Sequence, residues 1–319
     1  MNAATPTSAS DIRANHWVLR AAPRGLRPYL RLARLDRPIG IWLLLFPGWW
    51  AIALGDAAAS DAFAPSWQLY LLFACGALLM RSAGCVVNDM LDRDFDAKVA
   101  RTATRPIPSG ELSLLQAGLF LLPLLSVSLI ILLQMNVLTI LLGCASLLLV
   151  FAYPLMKRIT YWPQAWLGLT FNWGALLGWT AVTGSFGWPS LLLYIGGIAW
   201  TLGYDTIYGH QDKEDDALIG VKSTALRLGS TTKRWLLAFY GLTLLLFGLA
   251  GQAAGLLWPF WLGLATVALH FLWQVLDLKM DVPGDCLAKF KSNRFVGWLL
   301  LAGILAGSPW VHLELGFTP

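Results

Sequence analysis

Long apolar runs separated by short polar segments set the pattern of this chain. Nine runs stand out, roughly 39–57, 67–88, 112–133, 137–153, 163–182, 189–208, 235–253, 256–276 and 295–312. A helix rises about 1.5 Å per residue, so runs near ~20 residues match a hydrocarbon core of about 30 Å. A transmembrane barrel would instead show strands of ~10 residues that alternate apolar and polar. Pro38 suits a first helical turn and Pro154 a stop. The pattern predicts an all-α integral membrane protein with nine transmembrane helices.

Composition and charge sharpen this picture. Of the 319 residues, 57% are hydrophobic and 13% charged, about half the charged share of a soluble domain. With the N-terminus on the cytoplasmic side, the inside segments are 1–38, 89–111, 154–162, 209–234 and 277–294. All 23 Lys and Arg fall in these segments except Arg81, in the inner half of the second run. One-sided basic loops are the signature of membrane topology, so N-in, C-out is expected. The net charge of +5 then needs no nucleic acid to explain it. Residues 1–37 carry seven arginines and no apolar stretch before Ile39, which is not a signal-peptide pattern. They are expected to form a basic interfacial segment ahead of one transmembrane domain, 38–319. The four cysteines are scattered without metal-ligand spacing, so neither a disulfide nor a zinc site is expected.

The acids concentrate where chemistry is expected. Nine of the 18 acidic residues lie in two clusters. One is Asp89, Asp92, Asp94 and Asp96; the other is Asp205, Asp212, Glu214, Asp215 and Asp216. Both follow equivalent runs, the second and the sixth, and both emerge on the cytoplasmic side. Each shows a polar residue at the run's end (Asn88, Asp205) and then D-x-x-x-D (Asp92 to Asp96, Asp212 to Asp216). This hints at two related four-helix halves plus one helix. On a helix, D-x-x-x-D sets two carboxylates one turn apart on one face. At 6 Å they repel by about 3 kcal/mol at an effective dielectric near 20, so cations belong there. Mg²⁺ takes one or two carboxylates plus phosphate oxygens. A solvated loop is the bland alternative for one cluster; the matched pair argues against it.

The run Gly84-Cys85-Val86-Val87-Asn88-Asp89-x-x-Asp92-x-x-x-Asp96, with Arg101-Thr102-x-x-Arg105-Pro106-x-Pro108-Ser109-Gly110, resembles the first aspartate-rich motif of the UbiA family of membrane prenyltransferases. Tyr204-Asp205-Thr206-x-Tyr208, Asp212-x-x-Asp215-Asp216 and Gly220-x-Lys222-Ser223-Thr224 resemble the second. Arg34-Leu35-Asp36-Arg37-Pro38, Tyr153-Pro154-x-x-Lys157-Arg158 and Phe290-x-x-Asn293 support it. The resemblance covers nearly the whole chain after residue 28. It implies nine helices around a central cavity capped by cytoplasmic loops. Within the family the likeness is to bacterial members that prenylate 4-hydroxybenzoate for ubiquinone synthesis, so a bacterial cytoplasmic membrane is the expected location.

The resemblance also implies the chemistry. A polyprenyl diphosphate would lose diphosphate with Mg²⁺ as cofactor, and the allylic carbon would join the ring carbon ortho to the hydroxyl of 4-hydroxybenzoate. Asn88, Asp92 and Asp96 would hold one Mg²⁺–diphosphate, Asp212 and Asp216 the other, and Asp205 would help with metal or proton. Lys157, Arg158, Lys222 and Arg105 are phosphate candidates, with plain positive-inside anchoring as the alternative. Arg34 is the candidate for the acceptor's carboxylate, with lipid-headgroup anchoring as its alternative. Arg81 is next in line for that role. Other acceptors within the family (a naphthoate, homogentisate, haem or chlorin ring) remain open. A cation-coupled transporter is the reading from another class; it would place its acids in mid-span. His16, His210, His270 and His312 are dispersed, and a core or surface role is expected for them.

Overall fold

In lipid every backbone N–H and C=O must be satisfied within the protein, and helices do this inside one segment. The computed structural model describes residues 16–59, 66–98, 102–211, 213, 220 and 222–309. Among these residues the regular elements are all helical. In chain order they are α1 (Trp17–Ala21), α2 (Arg27–Leu32), α3 (Ile39–Ala58), α4 (Trp67–Asp96), α5 (Leu114–Leu132), α6 (Val137–Ile159), α7 (Pro163–Phe171), α8 (Gly174–Thr183), α9 (Trp188–Gly209), α10 (Thr224–Leu228), α11 (Thr232–Ala253), α12 (Trp258–Asp277) and α13 (Pro283–Gly307).

Among the described residues, six helical stretches are by length and composition able to cross a membrane: α3, α4, α5, α6, the continuous stretch α10 to α11, and α12. Several of the expected run boundaries differ from the helices observed. The fifth run divides into α7 and α8 at Asn172. Its side chain donates through Nδ2 to the Gly168 carbonyl at 2.8 Å and to Thr201 Oγ1 at 2.8 Å, the local competition with backbone that Asn brings to helices. The sixth run, α9, is a long helix, but Gly196, Gly197 and Gly203 and its Trp and Tyr residues dilute its apolarity. The ninth does not start at 295; α13 begins at Pro283 and carries Asp285, Lys289, Lys291 and Arg294 in its first half. Pro154 does not stop α6, which continues to Ile159.

The chain forms two compact units. The first takes in residues up to 41 and 76–131. Its core gathers Leu32 of α2, Val86 of α4, Ile107 and Leu112 of the turn after α4, and Ala117 of α5, with Tyr29, Met90 and Phe120 packed against them. The basic segment before residue 38 is thus anchored by its apolar positions onto α4.

The second unit takes in 42–75 and the chain from 132 onward. Here α9 packs on α7 and α11, and α12 on α13. Its centre is aromatic. Trp50 lies 5.2 Å from Trp200 and 5.4 Å from Phe247, and its Nε1 donates to the Gly297 carbonyl at 2.9 Å. Trp200 Nε1 donates to Asn293 Oδ1 at 2.8 Å. These bonds satisfy the indole N–H groups that burial would otherwise leave costly. Lys289 joins α13 to the end of α12 through Asp277, and its Nζ lies 4.2 Å over the Trp273 ring.

Candidate active site

The first acidic motif rides on the end of a helix, as its spacing requires. Helix α4 runs on past residue 88 to Asp96. Thr102 Oγ1 then donates to the Asp96 carbonyl at 2.8 Å, and Leu112 N–H donates to the Pro106 carbonyl at 2.8 Å. The segment Thr102–Leu112 is thereby folded back beside the helix, with Ile107 and Leu112 in the core.

This fold-back delivers Arg105 to the acids. Its Nη1 lies 2.7 Å from Asp96 Oδ2 and 3.3 Å from Asp89 Oδ1. On the other side Arg34 Nη2 reaches Asp89 Oδ1 at 2.6 Å and Oδ2 at 2.8 Å. Asp89 is wholly buried. Two guanidinium groups therefore compensate one buried carboxylate, without which burial of the charge would cost several kcal/mol. Asp89, Asp92 and Asp96 stand at i, i+3 and i+7, which puts them on one helix face.

Arg34 owes its position to an unusual turn. Helix α2 closes with Leu35 N–H on the Leu30 carbonyl and Arg34 N–H on the Arg31 carbonyl, the paired bonds of a Schellman ending. The residue at its left-handed position is normally glycine; here it is Arg34, at φ 59°. It is the one non-glycine residue with positive φ among the described residues. The left-handed conformation costs an L-residue roughly 1–2 kcal/mol, a cost borne where a side chain is needed.

The structure gives two of the candidate arginines acidic partners. Arg34, expected on the acceptor's carboxylate, and Arg105, expected on phosphate, are both placed on acids of the first motif. Asp89 was not singled out by the sequence reading as a site residue, although its seven-residue spacing from Asp96 was a usable signal. Asn88 and Asp92 are partly buried on α4. Arg81, about two turns before Asn88 on α4, packs against the start of α3: a Cβ at Gly40 would lie 2.5 Å from its Nε. Only glycine leaves room for that guanidinium.

In the second unit, Asp205 sits partly buried near the end of α9. Asp212, Asp216 and the side chain of Lys157 lie outside the described residues. The two flanks of the 212–221 segment are tied together, Thr206 Oγ1 to Thr224 Oγ1 at 2.7 Å and His210 Nε2 to Thr232 Oγ1 at 2.9 Å. Gln164 Oε1 accepts from Thr224 N–H at 3.1 Å. Lys222 Nζ donates to the Ile159 carbonyl at 3.1 Å, at the C-terminal end of α6, where the helix dipole favours a cation. Arg158 is exposed on α6.

His210 was read as bland, and it contributes a pH-sensitive joint. Burial, and then Lys213, push its pKa down to about 4 against a smaller opposing pull from Asp281. It is therefore neutral at pH 7. Because the folded pKa lies below the unfolded one, lowering pH through the window from ~6.5 to ~4 favours the unfolded chain. Melting temperature is expected to fall between pH 7 and pH 5, and to fall less in His210→Gln. An equal fall in both would remove His210 from that dependence.

The donor chemistry of the first motif fits a hard cation. Its side-chain donors are oxygens, Asn88, Asp92 and Asp96, the set Mg²⁺ prefers over nitrogen or sulfur. Among the described residues no three His, Cys, Asp or Glu gather closely enough to hold an ion by themselves.

Comparison with known proteins decides the family. The UbiA prenyltransferase family model matches residues 39–305. The chain belongs to the UbiA prenyltransferase family. A curated relative in Bos taurus, named 4-hydroxybenzoate polyprenyltransferase, mitochondrial, is 54% identical over 293 residues, covering 91% of this chain and 78% of the relative. The protein of the same name in Arabidopsis thaliana is 50% identical over 298 residues, 93% of this chain and 72% of its own. Among solved structures, the apo UbiA homolog from Aeropyrum pernix K1 superposes with TM-score 0.67 at 24% identity, covering 84% of this chain and 97% of that one. A UbiA homolog from Archaeoglobus fulgidus bound to GPP and Mg²⁺ gives TM-score 0.56 at 18% identity, covering 88% and 98%. These two structures show the UbiA fold. This UbiA-family chain is accordingly a prenyltransferase of the membrane. The expected bacterial cytoplasmic membrane is corrected: both of these curated relatives are named as mitochondrial.

Proposed function

We propose that the chain transfers a polyprenyl group from polyprenyl diphosphate to the ring carbon of 4-hydroxybenzoate ortho to its hydroxyl, with Mg²⁺ as cofactor. The observation that carries this reading is the 54% identity, over 91% of the chain, to a relative named for that substrate. The acidic motif on α4 supports it with the right oxygen donors. In the proposal Asn88, Asp92 and Asp96 hold one Mg²⁺–diphosphate, and Asp212 and Asp216 the other. The bound cation supplies positive charge against the departing diphosphate. Lys157, Arg158 and Lys222 add cationic contacts to the phosphate oxygens. The allylic C–O bond breaks, the new C–C bond forms at the ring, and the displaced ring proton passes to the Asp205 carboxylate. Apolar spans keep water from the allylic centre. The nine spans, N-in and C-out, remain our topology.

The acceptor brings a carboxylate into an acidic site and needs a cation of its own. With Arg34 committed to Asp89, we assign that role to Arg81. The test is product mass spectrometry of purified protein given polyprenyl diphosphate, Mg²⁺ and an equimolar mixture of 4-hydroxybenzoate, a naphthoate and homogentisate. Prenylated 4-hydroxybenzoate is expected to dominate. Arg81→Ala should raise KM for 4-hydroxybenzoate roughly ten- to a hundredfold, the loss of one charge-assisted interaction. KM for the diphosphate should change little. A dominant naphthoate product would move the chain to another acceptor.

A further inference from the structure

The four charges Arg34, Asp89, Arg105 and Asp96 form one connected row within the first unit. Towards one end is the fully buried Asp89 carboxylate, both of whose oxygens accept from Arg34 Nη2. At the other is a carboxylate that we read as a cation ligand. Arg105 spans them, with a single nitrogen against both. We propose that Asp89 is not a ligand but a positioning residue: clamped by Arg34, it fixes Arg105, and Arg105 in turn sets the orientation of the Asp96 carboxylate. Three observations converge on this. Asp89 has no exposure through which an ion or a phosphate would reach it. Arg34 occupies both Asp89 oxygens, from a left-handed position that glycine would fill without strain. Arg105 reaches the row because Thr102 and the Pro106–Leu112 bond fold its segment back on α4.

A guanidinium beside a ligand carboxylate has two opposite consequences. If it merely competes with the metal, its removal strengthens cation binding. If it orients the ligand, its removal weakens binding, as loss of outer hydrogen-bond partners does at metal sites, by about 10- to 100-fold. The sign separates the two. The probe is Mn²⁺ binding to the full-length protein in detergent, followed by electron paramagnetic resonance without substrate. Arg34→Gly removes the guanidinium while relieving the left-handed turn, which offsets part of the cost of losing its ion pair with Asp89. Asp89→Asn keeps the shape of the pivot without its charge.

Both variants are expected to weaken Mn²⁺ binding about tenfold or more, and the double variant should add little to either, since both act through Arg105. Arg34→Lys should recover part of the loss, because the ammonium keeps the charge without the planar fork. Tighter binding by Arg34→Gly, or unchanged binding by Asp89→Asn, overturns the proposal. So does complete loss in Asp89→Asn equal to that of Asp92→Ala, which would make Asp89 a ligand. The inference rests on the reading of Asp96 as a ligand, and Asp96→Ala tests that separately. Unchanged binding there defeats the underlying reading. Loss there with wild-type binding in Asp89→Asn and Arg34→Gly defeats this inference alone.

Discussion

Asp92→Ala and Asp212→Ala are each expected to lower the rate of prenyl transfer by roughly 10²- to 10³-fold, the scale on which removal of one charge-stabilising group acts. Ionisation of an allylic diphosphate leaves a heavily charged group in a poorly solvated place. In the proposed mechanism these two carboxylates, one from each motif, help to hold the cations that neutralise it. Excess chelator should abolish activity, and Mg²⁺ should restore it. Both variants are expected to insert and elute as the wild type does. Retention of full turnover by both would remove the acidic motifs from the chemistry.

The second large effect is structural. A Cβ at Gly297 would lie 2.1 Å from Cδ2 and 2.2 Å from Cε2 of the Phe46 ring. Phe46 is fully buried and lies 6.0 Å from Trp50, 5.4 Å from Trp298 and 5.7 Å from Trp42, centroid to centroid. It has no open direction in which to retreat. Ordinary carbon contacts begin near ~3.5 Å, so Gly297→Ala must push α13 away from α3 and strain the bond from Trp50 Nε1 to the Gly297 carbonyl. Overpacking of this kind costs about 1–3 kcal/mol, and the lost indole bond adds about 1 kcal/mol. A clear drop in melting temperature is expected. Trp50→Phe removes the same bond and also leaves a cavity where the larger ring was, so its melting temperature is expected to fall as well. A Gly297→Ala protein that melts with the wild type would contradict the tight α3–α13 packing.

Much of the helical architecture was legible because apolar runs are long and their basic flanks one-sided. Span ends were harder to read. α4 outran its apolar stretch because Asn88 through Asp96 are compatible with helix and Thr102 caps it. α13 began early because Lys289, which reads as a loop charge, is held by Asp277 and Asp285. The break at Asn172 depends on a partner, Thr201, that lies a whole helix away in sequence. The first motif's residues were visible from their spacing. The partners of Arg34 and Arg105 were not, because spacing along one helix says nothing of what a returning turn brings beside it. Asp89 illustrates the limit: the motif marks an acid, and only the fold shows that two arginines close around it.

The product of the reaction tests the proposed activity most directly. In vesicles holding the purified protein, polyprenyl diphosphate, 4-hydroxybenzoate and Mg²⁺ should yield one diphosphate for each molecule of acid prenylated. Nuclear magnetic resonance of the purified product should place the new C–C bond ortho to the hydroxyl. Diphosphate release without a prenylated acid, or a prenyl group joined through oxygen, would contradict it.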